Sequence, residues 1–114
     1  MSQKIPVLTL TVSASGAVTA HRFVGYDGAQ VAASGGKALG VATFDATDGK
    51  DLSVDALGTT VVETGGAIAV GDDLVSDASG QAIVNPALGG EVVAAHALDS
   101  AAGAGEFIEV LLVK

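Results

Sequence analysis

The chain has 114 residues, short for two ordinary domains, and carries a formal net charge of −8 from 13 acidic and 5 basic side chains. That balance excludes recognition of a nucleic-acid backbone and attraction to anionic membrane surfaces, both of which need clustered Lys and Arg. Cysteine is absent, so disulfides, thiolate chemistry and zinc–sulfur sites are excluded as well.

Apolar residues make up 49% of the chain, but 21 of them are Ala and 30 are Val, Leu or Ile, beside three Phe, one Tyr and no Trp. A core of small aliphatic side chains predicts modest stability, about 5–10 kcal/mol. It also favours assembly, in which each copy buries surface that the monomer leaves wet.

The first apolar run, Ile5–Val12, is interrupted by Pro6, Thr9 and Thr11 and preceded by the single Lys4. This alternation marks a strand rather than a signal peptide, and no run approaches the ~20 residues of a membrane span. Leu8, Leu10 and Val12 share one face of a strand over Val7–Ser13, with Thr9, Thr11 and Ser13 on the other. With its extended Ile5-Pro6, the stretch 1–12 also reads as an N-terminal arm. After the turn at Ser15-Gly16, a strand over His21–Tyr26 ends at Asp27-Gly28, and Gln30–Ala33 reads as another. Ala38–Phe44 and Asp51–Ala56 flank a polar loop, Asp45–Lys50, as a hairpin. From Gly58 to Ala82, β-branched runs alternate with Gly, Asp and Ser clusters, giving strands at Thr59–Thr64, Leu74–Ser76 and Gln81–Val84 with no room for a helix. Asn85-Pro86 stops the last of these.

Val92–Ala101 fits either a strand or a short Ala-rich helix, and an internal echo favours the strand. The hairpin Val41–Val54 aligns with Ala95–Ile108, Asp45 matching Asp99 and Gly49 matching Gly103. The closing segment, Glu106–Val113, is the strongest strand in the sequence. Ile108, Val110 and Leu112 lie on one face, and Phe107, Leu111 and Val113 share the other with Glu109. Two largely apolar faces predict cover on both sides, one by the core and one by a loop, the N-terminal segment or a second subunit. The turn spacing as a whole predicts a single all-β domain over residues 1–114, a compact β-barrel or sandwich of about eight to ten short antiparallel strands with the extended arm.

Chemistry is sparse. Asp45, Asp48 and Asp51 surround Gly49 in a polar loop, but the alternating order of a Ca²⁺ loop is missing and Asp is common in turns; Asp72-Asp73 reads the same way. The two histidines, His21 and His96, lack the hydroxyl or carboxylate constellation of a catalytic pair. Gly103-Ala104-Gly105 opens like a dinucleotide fingerprint, yet a strand follows where a helix N-terminus is required. Lys50, in the turn Asp48-Gly49-Lys50-Asp51, resembles in position the modified Lys of lipoyl- and biotinyl-type carrier domains, without their flanking tetrapeptide. A carbohydrate- or host-surface-binding barrel is the other rival reading, disfavoured by the shortage of aromatic side chains for stacking on sugars. No catalytic, cofactor-binding or metal-binding residue is assigned, and no cofactor is expected.

Motifs in a particular order carry a resemblance. Ser15–Val24 (SGAVTAHRFV), Ala38–Ala42 (ALGVA), Gly58–Glu63 (GTTVVE), Gly71–Gly80 (GDDLVSDASG) and Gly105–Leu112 (GEFIEVLL) together resemble the tailed-phage capsid cement, or head-decoration, proteins. The resemblance runs over nearly the whole chain. It implies a β-rich domain that binds the outer surface of an assembled head and its major capsid protein, and no catalytic residues. It also implies self-association, a homo-oligomer with a trimer favoured over a dimer. With the polar turns facing solvent, capsid or subunit contacts are expected at Ile5, Pro6, Val7, Leu8, Phe107, Leu111 and Val113.

Overall fold

The computed structural model describes residues 4–113; Met1–Gln3, the first residues of the expected arm, and Lys114 lie outside them. Eight strands are formed: β1 (Pro6–Ser13), β2 (Phe23–Val24), β3 (Gly40–Ala42), β4 (Asp51–Glu63), β5 (Asp73–Ser76), β6 (Ala82–Val84), β7 (Ala95–Ala97) and β8 (Phe107–Leu112). Every strand pairing is antiparallel, in the order β2-β3-β4-β8-β7-β5-β6, with β1 also paired to β4. A parallel bridge between Thr64 and Ala82 brings the far end of this path back to the end of β4, so the sheet nearly closes into a barrel. The fold is all-β, with no helix among the described residues.

Several elements differ from the sequence reading. Asp51–Ala56 and Thr59–Thr64 are not two strands but one, because Gly58 does not interrupt β4. It adopts φ +92°, and the absence of a side chain there lets the Ile5 carbonyl and Val7 amide lie directly against it. Gln30–Ala33 forms no strand. Its only ladder contact is an isolated bridge from Gln30 to Val24, and the Val31 amide donates to the Phe23 carbonyl. Only Phe23–Val24 of the segment His21–Tyr26 is strand, since His21 turns the chain at φ 64°. Within Val92–Ala101, only Ala95–Ala97 is strand, and the residues before it are irregular.

The echo between hairpins proves to be part of a repeat of the entire pairing scheme. Val12 opposite Leu52 and Leu10 opposite Val54, on β1 and β4, recur as Val62 opposite Ile108 and Thr60 opposite Val110, on β4 and β8. Val41 opposite Asp55 recurs as His96 opposite Leu111, and Phe23 opposite Val41 as Asp73 opposite His96. The turns match as well. Gly49 donates to Ala14 as Gly105 does to Thr64, and Val18 bridges Ala46 as Ile68 bridges Ala101. These pairs correct the sequence alignment: Gly49 corresponds to Gly105 rather than Gly103, and Val41 to His96 rather than Ala95. The first half of β4 is thus the last strand of one unit, and its second half is the first strand of the next.

Two hydrophobic clusters follow the two units. Val18, Val24, Leu39, Leu52, Val54 and Ala56 are buried in the first. Ile68, Leu74, Ala94, Ile108, Val110 and Leu112 take the corresponding places in the second, and Phe23 and Val41 from the first unit join that cluster to weld the halves together. Arg22 adds a polar seam: its guanidinium approaches Glu63 at 3.3 Å and donates to the Ser79 carbonyl at 3.2 Å, while Gln81 donates to Glu63 at 2.6 Å.

Close approach of strands sets an exacting position at Gly40, where a β-carbon would collide with the Asp55 carbonyl on the neighbouring strand. Gly49, at φ +81°, has open space around it. Gly40→Ala is expected to cost about 3 kcal/mol by overpacking, and Gly49→Ala about 1 kcal/mol from backbone conformation alone. Urea unfolding of the two variants checks the order; equal losses would show that β3 and β4 can move apart.

Candidate docking surface

β8 and β1 both reach β4 at Thr59. Leu111 lies opposite Thr59, and the Thr59 amide donates to the Ile5 carbonyl at 3.0 Å while the Ile5 amide donates to the Thr59 hydroxyl at 2.7 Å. The two ends of the chain therefore meet at Thr59. Ile5 (65% exposed), Val7 (75%) and Leu111 (43%) gather around that point, with Pro6 opposite Gly58 and Leu8 opposite Leu57. The structure thus brings together Ile5–Leu8 and Leu111. Phe107 sits at the other end of β8, half exposed, with its ring edge-on to His21 at 5.4 Å. Val113 does not join them. It is half buried, its amide donates to Ala94, and it lines a separate small cleft with Tyr26, Lys37 and Val92.

Within the chain the outer face of β8 is only partly covered, which leaves a second subunit among the covers expected for it. Ile108, Val110 and Leu112 are buried, while Phe107 and Leu111 remain open to solvent. The repeat shows whether the fold demands apolar residues there. The positions corresponding to Phe107 and Leu111 in the first unit are Asp51 and Asp55, and Leu98, 42% exposed beside them, corresponds to Thr43. The same scaffold carries polar residues at these positions in the first unit, Asp51 exposed and Asp55 buried, and exposed apolar residues in the second. Single apolar residues on a surface need no explanation; a grouped set is a candidate contact surface.

The remaining candidates serve the turns. The Asp45 and Asp48 carboxylates accept the amides of Ala20 and Gly16 at 2.7 and 2.9 Å. Lys50 and Asp51 are exposed beside Phe44 in an open cleft of about 530 Å³. Asp72 accepts from Ala69, and Asp73 pairs with His96 at 3.1 Å. No group of three metal-ligating side chains occurs among the described residues.

One residue that carries no signal in the sequence holds the start of β1 in place. Asp55 is 1% exposed and accepts hydrogen bonds from Thr9 (2.9 Å) and Thr60 (2.8 Å), and Lys4 reaches it at 3.2 Å. It ties the start of β1 to the middle of β4. Removing the carboxylate leaves the buried Thr60 hydroxyl without its acceptor, so Asp55→Ala is expected to lose about 2–4 kcal/mol. Lys4→Ala, at a half-exposed ion pair, is expected to lose less than about 1 kcal/mol. Chemical denaturation of both variants checks this; a small effect for Asp55→Ala would mean that water replaces the network.

The chain is similar to the head fiber gp8.5 N base of bacteriophage phi29, with a TM-score of 0.74 and 23% sequence identity over 93% of each chain. At that identity the likeness establishes the fold. No curated protein matches the chain. The family model for the phage cement proteins matches residues 1–112, and the chain belongs to that family.

Proposed function

We propose that this chain decorates the outer surface of an assembled phage head and strengthens it, by laying the joined ends of β1 and β8 on the major capsid protein. The phage-structural role belongs to the family; the surface assignment is carried by the patch at Ile5, Val7 and Leu111, which the fold does not need to be apolar. The role is structural rather than catalytic, and the contacts are modest ones summed over a repeating lattice. Copies of the chain are also partners, since the core of small side chains leaves room for gain by assembly. The net charge of −8, carried mostly on turns, faces outward and keeps crowded copies soluble. In the virion the protein occupies the outside of the shell, and it needs neither nucleic acid, membrane nor cofactor for this.

Cosedimentation with purified expanded shells tests the reading. Deleting Ser2–Pro6, or introducing charge with V7D/L111D, is expected to weaken binding about tenfold or more, equivalent to ~1.4 kcal/mol. Leu88→Asp, at an exposed loop position far along the chain, is expected to bind as the parent does. Circular dichroism confirms that the variants fold. Undiminished binding by folded V7D/L111D would overturn the surface assignment, and absence of binding by the parent protein would overturn the decoration role.

A further inference from the structure

Glu109 places a carboxylate at the centre of an apolar frame. On the outer face of β8 it lies between Phe107 and Leu111 and opposite Val61 of β4, and on the β7 side the Leu98 amide donates to its carbonyl at 3.0 Å. Leu98, Phe107 and Leu111 are 42%, 50% and 43% exposed, while Val61 and Glu109 are partly buried. The basic side chains nearby are engaged elsewhere. His96, opposite Leu111, pairs with Asp73 at 3.1 Å, and Arg22 approaches Glu63 at 3.3 Å. Among the described residues the Glu109 carboxylate takes part in no ion pair. Asp99, whose carboxylate accepts the Glu109 amide at 3.2 Å, adds a second negative charge beside it.

The ladder does not call for this charge. The same backbone position in the first unit is Ser53, which accepts from the Thr43 amide as Glu109 accepts from Leu98. Around Ser53 stand Thr11, Thr43, Asp51 and Asp55, so the first unit has a neutral centre in a polar frame and the second the reverse. A carboxylate among apolar neighbours keeps its water while the face is open and loses it when the face is covered. Covering Glu109 with an apolar partner is therefore costly. A partner that brings a cation to it offsets that cost, and a partner without one is rejected.

We infer that the major capsid protein meets this face with a basic side chain, Lys or Arg, seated on Glu109 inside the frame of Leu98, Phe107 and Leu111. The pairing presupposes the decoration role proposed above, in which the shell covers Leu111, two residues along β8 from Glu109. The apolar frame supplies the buried area, and its exclusion of water strengthens the central ion pair. Glu109 then sets which surface is accepted, and its neighbours set how tightly.

Cosedimentation with purified expanded shells, on variants shown to fold by circular dichroism, tests the pairing. Glu109→Gln is expected to weaken binding about tenfold and Glu109→Lys about a hundredfold or more, while Asp51→Asn, which removes the same charge from an exposed position in the first unit, binds as the parent does. Added salt is expected to weaken the parent more than Glu109→Gln. In urea the midpoint of Glu109→Leu is expected to be no lower than that of the parent, because the charge serves no contact within the chain. Parent-like binding by Glu109→Gln overturns the inference, as does an equal loss in Asp51→Asn, an unchanged salt dependence, or a lowered urea midpoint for Glu109→Leu. A changed sedimentation mass for free Glu109→Lys assigns the face to a contact between copies and overturns it too. If V7D/L111D loses the shell while Glu109→Gln keeps it, only the pairing fails and the decoration role stands. A parent protein that does not bind shells overturns both.

Discussion

Everything in this molecule depends on one strand serving two units. β4 runs unbroken from Asp51 to Glu63, giving its first half to β1 and β3 and its second half to β8. Each half has its register set by a different partner, and Gly58 lets the backbone of β1 close against the point where they join. A repeat protein in a linear array adds units at its ends. Here β1 and β8 both pair with β4, so the two units close on each other, and neither buries its core without the shared strand.

The equivalence of the units is geometric rather than chemical. Phe23 and Val41 of the first unit are fully buried beneath the second, whereas Asp73 and His96 occupy the matching places at the surface and pair with each other. On the other side of the comparison, Asp55 is buried at the junction while its counterpart Leu111 is exposed. Surface and interior have traded chemistry at equivalent backbone positions. The carboxylate at Asp55 serves contacts inside the chain, while in the reading proposed above Leu111 and Phe107 serve a contact outside it.

Much of this architecture is legible in the sequence, because period-two alternation and turn residues act locally. The alternation of Leu10 and Val12 with Thr9 and Thr11, the inward set Ile108, Val110 and Leu112, and the strands around Asp77–Gly80 are all visible without coordinates. The continuity of β4 is not, since Gly58 carries the same local signal whether it ends a strand or admits a neighbouring backbone. The repeat is half visible: the hairpins show a shared pattern, but the alignment read from the sequence is one residue off at Val41 and, after an added residue between Ala101 and Gly105, two off at Gly49, and only the ladder pairs restore it. Asp55 is hidden for a related reason. Its burial depends on Thr9 and Thr60, which are brought to it by pairing and by the crossing of β4. The meeting of Ile5 with Leu111 is likewise a product of topology alone.

The core of the second unit is lined by Ala82, Ala94, Ala95, Ala97 and Ala101. Side chains this short draw the walls of the barrel inward, and the molecule measures 35 × 29 × 24 Å along its principal axes. For the decorating role proposed above, such dimensions have a mechanical meaning. A low tile follows curvature with little splay between neighbours, and its outer rim travels hardly farther than its base when the surface beneath it swells or flattens. In the proposed decorating role, the alanines that limit the stability of each copy also keep it thin enough to follow the surface beneath.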